Sequence, residues 1–423
     1  MIEKVSLFSS KREFFIFSSA LTFIFLYSLL IEYHNFKTLT QFNSNLVNAV
    51  VLKQYQREKI TKKGETKKYQ MLKMKSEKGF TFYTGISFKT QNLVGKKLSL
   101  ELKAGEISFY AYMRNFYAPS RVLTVKKTLK YSLNTKISSE HSDLNAISIY
   151  QALYTATTLP IELQKVFSNL GVSHLFAISG FHIGILSAAL LLLLSYPYKY
   201  FQNRYFPYRH AKRDIFIIIA FILLSYLLFL DSPASLTRAF TMLIVGYFLY
   251  DRGIKIISMQ TLLITILFLL AFIPRFVFEI GFWLSVAGVF YIFLFLIHFK
   301  YLSRLWQFVL VPIWVYLLML PYSLVLFENF SLYHPLSIIW TTLFTLFYPF
   351  SILLHLLGFG DLLDTGLNSL INLGESFSVV SIAKEWLYLY MLLSLLAIKR
   401  ELFIYLVLLF SLSIFIYSIY HIT

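Results

Sequence analysis

Two histidines and a serine lie close together at the start of an apolar stretch of the chain. An imidazole beside a hydroxyl can act as its general base, so His174, Ser179 and His182 are candidates for nucleophilic chemistry. Ser179 and His182 lie three residues apart and would share one face of a helix. A serine and a base on one helix rarely approach closely enough for catalysis, and hydrogen bonds between packed helices explain the same residues. An intramembrane hydrolase is therefore a weak alternative, and no catalytic residue is predicted.

Other catalytic motifs are missing from the sequence. The chain contains no cysteine, no H-E-x-x-H string and no G-x-x-x-x-G-K-[ST] loop. Thiolate metal ligands, the zinc-protease motif and the phosphate loop that binds ATP are therefore lacking. We predict no metal site and no cofactor, and ATP hydrolysis by this chain is disfavoured.

The element that carries the two histidines is expected to be a membrane helix. Hydrophobic residues make up 57% of the 423-residue chain, far more than in a soluble protein. Polar groups in hydrocarbon are costly unless they pair or face water, so this helix is predicted to pack inside a bundle or to line a cavity. Gly180 and Gly184 form a G-x-x-x-G pair, which favours close approach of two helix backbones.

The whole chain is predicted to be a polytopic α-helical integral membrane protein with about 10 to 11 membrane helices or re-entrant segments. A small β-barrel domain outside the membrane is expected near the N-terminus. Residues 147–160 are short and partly polar, so an interfacial or re-entrant helix is expected there, and another re-entrant segment at 336–357. The other apolar blocks cover residues 14–31, 175–194, 215–230, 236–250, 256–273, 281–299, 306–326, 379–398 and 402–420.

Charge is concentrated in one part of the chain and divides it into three predicted regions. Residues 35–140 hold 21 Lys and Arg against 6 Asp and Glu, a net of +15, whereas 1–34 are balanced and 141–423 carry 15 against 12. We predict an N-terminal membrane helix at 1–34, a basic β domain at 35–140 and a helical membrane domain at 141–423. A field of one sign this large favours a polyanion: nucleic acid, an anionic leaflet or an acidic polysaccharide.

Alternation of apolar and polar residues predicts antiparallel β structure in the basic domain. Strands are expected at 69–75, 81–84 and 98–103 with a turn at 77–79, and the alternation over 107–113 predicts a further strand. The strand count fits a five-stranded barrel of the OB type. That fold often binds single-stranded nucleic acid on a basic face with aromatic platforms.

Seven lysines of the basic domain cluster among aromatic residues. A solvated face on a lysine-rich protein explains a charge run equally well, but the rest of the chain is nearly neutral, which favours a binding surface. The candidate nucleic-acid contacts are Lys62, Lys63, Lys67, Lys68, Lys73, Lys75, Lys78, Tyr69 and Phe82.

Basic loops predict the orientation in the membrane. Lys4, Lys11 and Arg12 precede the first span, so the N-terminus is expected to be cytoplasmic, as is the loop 196–213 with its five Lys and Arg. The β domain and the His174 end of the helix then lie on the outer side. A cleaved signal peptide is disfavoured because no small-residue cleavage site follows the first apolar block.

A second set of polar residues lies in the later apolar blocks. Arg238 is placed just inside such a block, where a cation needs a partner or water, or snorkels to the interface. Glu279 is its nearest obvious counter-charge. Gly281 and Ser285 follow as small residues on one helix face.

The string from His174 to Gly184 closely resembles the H-L-x-A-I-S-G-x-H-x-G signature of the ComEC family, the inner-membrane DNA-uptake channels of natural competence. The resemblance covers roughly residues 145–350. Further matches fall in the family's order at Ser232-Pro233 with Arg238-Ala239, at residues 281–285 and at Leu320-Pro321.

This resemblance implies a channel in the bacterial cytoplasmic (inner) membrane that moves one DNA strand inward, with the OB-like domain engaging DNA in the periplasm. Many family members carry a C-terminal metallo-β-lactamase-like domain; this chain has no H-x-H-x-D-H string and resembles a short form. The implied partners are single-stranded DNA, membrane lipids, a periplasmic DNA receptor, a separate nuclease, and a cytoplasmic ATPase or strand-binding protein, with a homo-oligomer as an open alternative. The implied channel or packing residues are His174, Ser179, Gly180, His182, Gly184, Arg238, Glu279, Gly281 and Ser285.

A small-molecule or lipid exporter is the second hypothesis, ahead of the hydrolase. Many transporters contain two related halves, and this sequence shows no internal repeat. The missing repeat favours the channel.

Overall fold

The structure is a computed structural model that describes residues 10–60, 66–253, 256–374, 378–380 and 382–421. The chain forms two compact units. The β unit comprises Phe14–Leu159 and Phe268–Glu279, and the helical unit comprises Met1–Glu13, Pro160–Leu267 and Ile280–Thr423.

The β unit contains most of the first helix, a small sheet and several short helices. Its elements are α1 (Lys11–Thr40), β1 (Asn45–Ile60), β2 (Thr66–Ser76), β3 (Thr81–Ile86), β4 (Lys97–Leu102), α2 (Phe109–Met113), β5 (Phe116–Tyr117), β6 (Ser120–Lys126), α3 (Leu129–Glu140), α4 (Leu144–Thr155) and a 3-10 turn at Pro274–Phe278. The predicted strands over 69–75, 81–84 and 98–103 are confirmed as β2, β3 and β4. Gly79, with φ of +86°, lies in the predicted turn between β2 and β3.

The sheet has the strand order β5-β3-β2-β1-β4-β6 in the described part of the chain. All neighbours are antiparallel except β3 and β5, which run parallel. The strands at the two ends of this order are separated by only Ala118 and Pro119. The Ala118 amide donates to the Tyr83 carbonyl on β3, and the Pro119 carbonyl accepts from Lys103 just after β4. The segment 116–126 therefore links both ends of the sheet.

One face of the sheet forms the apolar core of the β unit. Leu72, Met74 and Phe82 are fully buried there, together with Leu98 and Leu100 of β4. The alternation of the sequence produces this core because successive side chains of a strand point to opposite faces.

The strand predicted over 107–113 is wrong, because this segment forms the helix α2. The Ser108 side chain accepts a hydrogen bond from the Ala111 amide at 3.2 Å and caps the helix. Tyr112 and Met113 then pack into the core from one helix face. The short apolar run fits the period of a strand as well as that of a helix, and the Ser108 cap favours the helix.

A partly buried ion pair joins three separate segments of the β unit. Arg275 donates from Nε and Nη2 to the two carboxylate oxygens of Glu32, each at 2.7 Å. Its Nη1 donates to the Tyr112 carbonyl at 2.9 Å, and its guanidinium lies 4.5 Å from the Tyr112 ring centroid. Two-point pairing of this kind fixes both side chains, so α1, α2 and the 3-10 turn are held together.

The helical unit consists of helices and one short pair of strands. Its elements are α5 (Ile161–Asn169), α6 (Ser173–Phe176), α7 (Gly180–Tyr205), α8 (Ala211–Phe229), α9 (Ala234–Asp251), the first part of α10 (Met259–Phe272), α11 (Ile280–His298), α12 (Arg304–Phe327), β7 (Asn329–Phe330), α13 (Ser337–Leu357), α14 (Asp364–Leu373), β8 (Ser378–Val379), α15 (Lys384–Leu396) and α16 (Glu401–Tyr420).

Six helices among the described residues are long and apolar enough to cross a membrane. They are α1, α7, α11, α12, a helical stretch His334–Leu357 that includes α13, and α16. The segment 336–357, expected to be re-entrant, is thus long enough for a full span. The block at 147–160 forms α4, a 12-residue helix of the β unit.

Hydrogen-bonded tyrosines join three helices of the helical unit, α11, α12 and α15. The Tyr291 hydroxyl on α11 lies 2.8 Å from the Ser394 hydroxyl on α15, and 3.3 Å from the Tyr322 hydroxyl on α12. Tyr390 donates to the Leu318 carbonyl at 2.9 Å. Polar side chains that pair between helices stabilise a bundle in an apolar surrounding.

Candidate functional site

The signature string forms a turn followed by the start of α7. Ser179 is extended and stands immediately before the helix, and His182 lies in its first turn. The His182 Nδ1 atom lies 3.2 Å from both the Ser179 amide nitrogen and the Ser179 hydroxyl oxygen. The two side chains therefore meet, although a serine and a base on one helix rarely approach closely, because Ser179 stands before the helix rather than within it. Their contact has the form of a helix capping box.

His182 is buried against α13 and is used as a structural group. Its Nδ1 atom accepts from the Ser179 amide, so the neutral ring carries its proton on Nε2. Phe344 and Tyr348 meet the ring edge to face at 5.3 and 4.7 Å, and Nε2 has no hydrogen-bond partner among the described residues. A catalytic base is usually oriented by a third side chain, and no such side chain is bonded to Nε2 among the described residues. This arrangement favours capping over catalysis.

His174 also contacts α13. Its Nε2 atom lies 3.3 Å from the Thr341 hydroxyl. The two signature histidines thus face the same neighbouring helix, which fixes the turn between α6 and α7 against α13.

Arg238 is the buried cation of the site. It lies on α9 with 5% of its surface exposed, and it donates to the Ser285 hydroxyl on α11 from Nε at 2.9 Å and from Nη2 at 2.6 Å. Nη1 donates to the Met242 sulfur at 3.0 Å. These partners are neutral, and no carboxylate pairs with this guanidinium in the described part of the chain. A cation without an anion is costly in an apolar surrounding.

The predicted counter-charge Glu279 is solvent-exposed and ends the segment 268–279 of the β unit. Ser285, predicted as a small residue that packs or lines the channel, supplies the hydrogen-bond acceptor instead. The Ser285 hydroxyl therefore accepts the hydrogen bonds that the charge pattern led us to expect the Glu279 carboxylate to accept.

Gly180 provides the space for this contact. A Cβ atom at Gly180 would lie 2.9 Å from both Arg238 Nη2 and the Ala239 side chain. Ser235 donates to the Ile178 carbonyl at 3.0 Å and ties the same turn to α9. Three separated strings of the sequence therefore meet at one guanidinium.

The other predicted glycines do not mediate close approach. A Cβ atom added at Gly184 or Gly281 would meet nothing within 4 Å. Gly180 is thus in close contact with side chains of α9, whereas Gly184 has no close neighbour.

A second candidate surface lies on the outer face of the sheet. We call it the aromatic–cation face. Cross-strand pairing places Lys53 opposite Lys73, Arg57 opposite Tyr69, and Lys73 opposite Tyr83. Neighbouring side chains on one face of a sheet are within contact distance. Its members are Lys53, Tyr55, Arg57, Tyr69, Lys73, Tyr83 and Tyr117.

The cations of this face lie over its tyrosine rings. Lys53 and Arg57 are 5.7 and 5.5 Å from the Tyr55 centroid, and Lys73 is 5.9 Å from the Tyr83 centroid. None of the three cations forms an ion pair among the described residues. The face combines positive charge with rings on which bases can stack.

Electrostatics on this face show crowding of like charge. Burial, together with the neighbouring Lys73 ammonium, lowers the pKa of Lys53 below the usual lysine value. Burial raises the pKa of the Tyr55 hydroxyl, although the Arg57 guanidinium opposes that effect. An anion between Lys53 and Lys73 would relieve their repulsion.

The predicted nucleic-acid contacts divide into three groups. Tyr69 and Lys73 are members of the aromatic–cation face, and the half-buried Lys75 lies on the same side of β2. Lys67, Lys68 and Lys78 are exposed. Lys68 pairs with Glu58 at 3.3 Å. Lys62 and Lys63 lie outside the described residues.

Phe82 is a wrong prediction as a stacking platform. Its ring is 0% exposed and packs against Phe80 and Phe116 in the core. The adjacent Tyr83 points to the opposite face, where it contacts Lys73. A shift of one residue along a strand exchanges the two faces.

Sequence reasoning missed Lys53, Tyr55 and Arg57. A β-bulge between Val51 and Lys53 inserts one extra residue into β1, so the odd-numbered side chains change from the core to the outer face. Val51 is buried and Lys53 is only half-buried. The signal that could have found these residues is the change from apolar to charged at odd positions after Val51.

No group of three or more His, Asp or Glu able to hold a metal ion is present within the described residues. The candidate site of the helical unit is thus built from hydrogen-bond donors and a buried guanidinium, and the separate candidate surface of the β unit from cations and tyrosine rings.

Comparison with known proteins identifies the family. The family model for the Competence protein matches residues 155–420, well over half of the chain. A protein of Aquifex aeolicus (strain VF5) that is described as uncharacterized is 25% identical over 203 residues, which cover 48% of this chain and 45% of that protein. No solved structure matches. The chain belongs to the Competence protein family, and the signature string places it with the ComEC-type members.

Proposed function

We propose that this chain is an inner-membrane channel that moves one strand of transforming DNA into the cytoplasm during natural competence. The aromatic–cation face carries the proposal, because ring stacking and phosphate attraction together are the usual means of holding single-stranded nucleic acid. Neither ring stacking nor phosphate attraction depends on the base sequence, and uptake of DNA of any sequence requires this.

The β unit is proposed to be an OB-type barrel on the periplasmic side. Linkage of both sheet ends by the segment 116–126, with β3 and β5 parallel, supports a closed five-stranded barrel in which β5 and β6 act as one interrupted strand. Lys11 and Arg12 before the apolar part of α1 support a cytoplasmic N-terminus.

The helical unit is proposed to form the passage. Arg238 supports this role because its hydrogen bonds to Ser285 hold α9 and α11 together, and helices fixed in this way can frame a passage. His174, Ser179 and His182 are proposed to fix the turn that frames the passage, and the full set of about 10 to 11 membrane segments completes it.

The remaining steps are assigned to partners. A periplasmic receptor would deliver the DNA, a separate nuclease would degrade the second strand, and a cytoplasmic ATPase or strand-binding protein would draw the strand inward. A homo-oligomer stays compatible with these roles.

The test is import of labelled duplex DNA in cells that lack the chain. We expect labelled strand to bind outside these cells but not to reach the cytoplasm, and a plasmid copy of the gene to restore import. Cytoplasmic label at the normal yield in the deleted cells would refute the proposal. A small-molecule exporter would leave import intact.

A further inference from the structure

The end of α7 that lies furthest from Ser179 carries a second dense set of cations and aromatic rings. Residues 196–213 contain five Lys and Arg, seven Tyr and Phe, and no Asp or Glu. The signature turn lies at the other end of this helix, so α7 connects the two places directly.

A cluster of charged and polar residues joins α7 to the first turn of α8. Arg209 donates to the two Asp214 carboxylate oxygens at 2.7 and 3.0 Å, and the Tyr198 hydroxyl donates to the same carboxylate at 2.6 Å. An ionised pair of this kind does not enter hydrocarbon readily, so Tyr198 and Asp214 lie at its boundary or outside it. The apolar part of α8 begins directly after, at Ile215.

The helix continues well beyond this level. Residues 199–205 add about 10 Å at the helical rise of about 1.5 Å per residue. The interfacial layer on each side of a bilayer is roughly 5 to 8 Å thick. We call residues 199–210 the α7 overhang; a helix of this length that runs along the bilayer normal would reach past the headgroup layer.

The rings of the overhang are open to solvent. Tyr200, Phe201, Tyr205 and Tyr208 are exposed, with 57% of Tyr205 accessible. Arg204 lies 5.7 Å from the Tyr205 centroid, and the Phe201 and Tyr205 rings stack at 6.4 Å. This is the same pairing of cation and ring that forms the aromatic–cation face of the β unit.

We propose that the α7 overhang binds single-stranded nucleic acid on the side of the membrane opposite the signature turn. Phosphates would contact Lys199 and Arg204, and bases would stack on Tyr200, Phe201 and Tyr205. The assignment of this surface to an emerging strand depends on the proposed channel function, but the binding itself does not.

Anionic lipid headgroups are the competing ligand for such a surface, since basic and aromatic residues also gather at membrane interfaces. The length of the overhang favours nucleic acid because its outermost rings would reach beyond the headgroups if α7 runs along the bilayer normal. Rings that stack on each other at 6.4 Å also present flat faces, which bases use and headgroups do not.

The test uses the full chain in nanodiscs of neutral phosphatidylcholine, with Tyr205 replaced by photoreactive p-benzoylphenylalanine. A labelled oligothymidylate of about 20 nucleotides, longer than one aromatic groove of about 4–16 nucleotides, is the probe. Leu192, which is exposed in the middle of α7, carries the same photoprobe in the control.

We expect a DNA crosslink at position 205 and none at position 192. Tyr200→Ala with Phe201→Ala and Arg204→Gln should reduce the crosslink about tenfold, since each stacked base contributes on the order of 1–3 kcal/mol. Tyr388→Ala with Tyr405→Ala, two exposed rings elsewhere, should leave it unchanged.

Two outcomes would overturn the proposal. One is a missing DNA crosslink at 205 in a chain that still binds the oligonucleotide through the β unit. The other is a crosslink to phosphatidylglycerol, in nanodiscs that contain it, that excludes DNA. Normal import in cells lacking the chain would refute the channel while leaving this crosslink intact, so the two failures are distinguishable.

Discussion

The aromatic–cation face and the Arg238 site use positive charge in opposite ways. On the face, three cations lie over tyrosine rings on a partly exposed surface, and none has a carboxylate partner among the described residues. At the second site one guanidinium is enclosed by a glycine, a hydroxyl and a thioether. The first arrangement can accept a ligand without moving, whereas the second depends on the fit of its neighbours.

This difference teaches which residues should affect binding and which should affect folding. Rings and cations on a partly exposed surface contribute little to the stability of a sheet, so their removal should lower ligand affinity rather than stability. Substitution of groups packed against a buried cation should first lower the free energy of unfolding. A guanidinium that loses its partners destabilises the folded chain. The predictions below test that division, from the largest effect to the smallest.

The largest effect is expected from two adjacent residues of β3. Phe82→Ala should reduce the stability of the β unit by about 3–5 kcal/mol, because a fully buried ring leaves a cavity. Tyr83→Ala should change stability by less than about 1 kcal/mol and weaken binding of single-stranded DNA. Denaturant unfolding measures the stability of both variants, and an oligonucleotide titration measures their affinity for DNA. Equal loss of stability in both variants would contradict the separation of the two faces.

The second effect compares the two signature glycines. Gly180→Ala places a methyl group 2.9 Å from Arg238 Nη2 and the Ala239 side chain, so a loss of about 1–3 kcal/mol is expected. Gly184→Ala is the matched control, since nothing lies within 4 Å of its Cβ position. Thermal unfolding in detergent measures both. If Gly184→Ala proved the more damaging change, the close approach would be misassigned.

The third effect concerns the acceptor of Arg238. Ser285→Ala removes the hydroxyl that accepts from Nε and Nη2, and about 1–3 kcal/mol of stability should be lost. Ser285→Thr keeps the hydroxyl and should retain most of the stability. Thermal unfolding distinguishes them, and identical behaviour of the two variants would show that packing alone matters at this position.

The smallest effect is the pH dependence of the aromatic–cation face. Because burial and Lys73 lower the pKa of Lys53, this ammonium loses its proton at a lower pH than ordinary lysines, which titrate near about 10.4. Oligonucleotide affinity should therefore fall as the pH rises, and the fall should begin at a lower pH than the titration of ordinary lysines would produce. The fall should shrink in Lys53→Gln and persist in Lys78→Gln. An equal pH-dependent loss of affinity in Lys53→Gln would show that another group causes it.

The strands were predictable where alternation was uninterrupted, as in β2 and β4. The bulge after Val51 reversed the faces of β1, and a single extra residue cannot be located from alternation alone. The helix α2 was mistaken for a strand because five residues are too few to separate the two periods.

The site was predictable in its members more than in its contacts. The signature string, Arg238 and Ser285 were all identified, but the pairing of Arg238 with Ser285 joins residues 47 positions apart. Charge patterns favour a carboxylate partner, as Glu279 illustrates, and a neutral acceptor leaves no such trace in the sequence.

The most direct test of the central claim is DNA import with the aromatic–cation face removed. Cells would carry the chain with Lys53→Gln, Tyr55→Ala, Lys73→Gln and Tyr83→Ala, and the labelled strand in the cytoplasm would be measured at equal amounts of protein in the membrane. We predict that import falls at least about tenfold, because stacking and phosphate contacts are lost together. Import at the normal yield would contradict the claim that this face captures the strand.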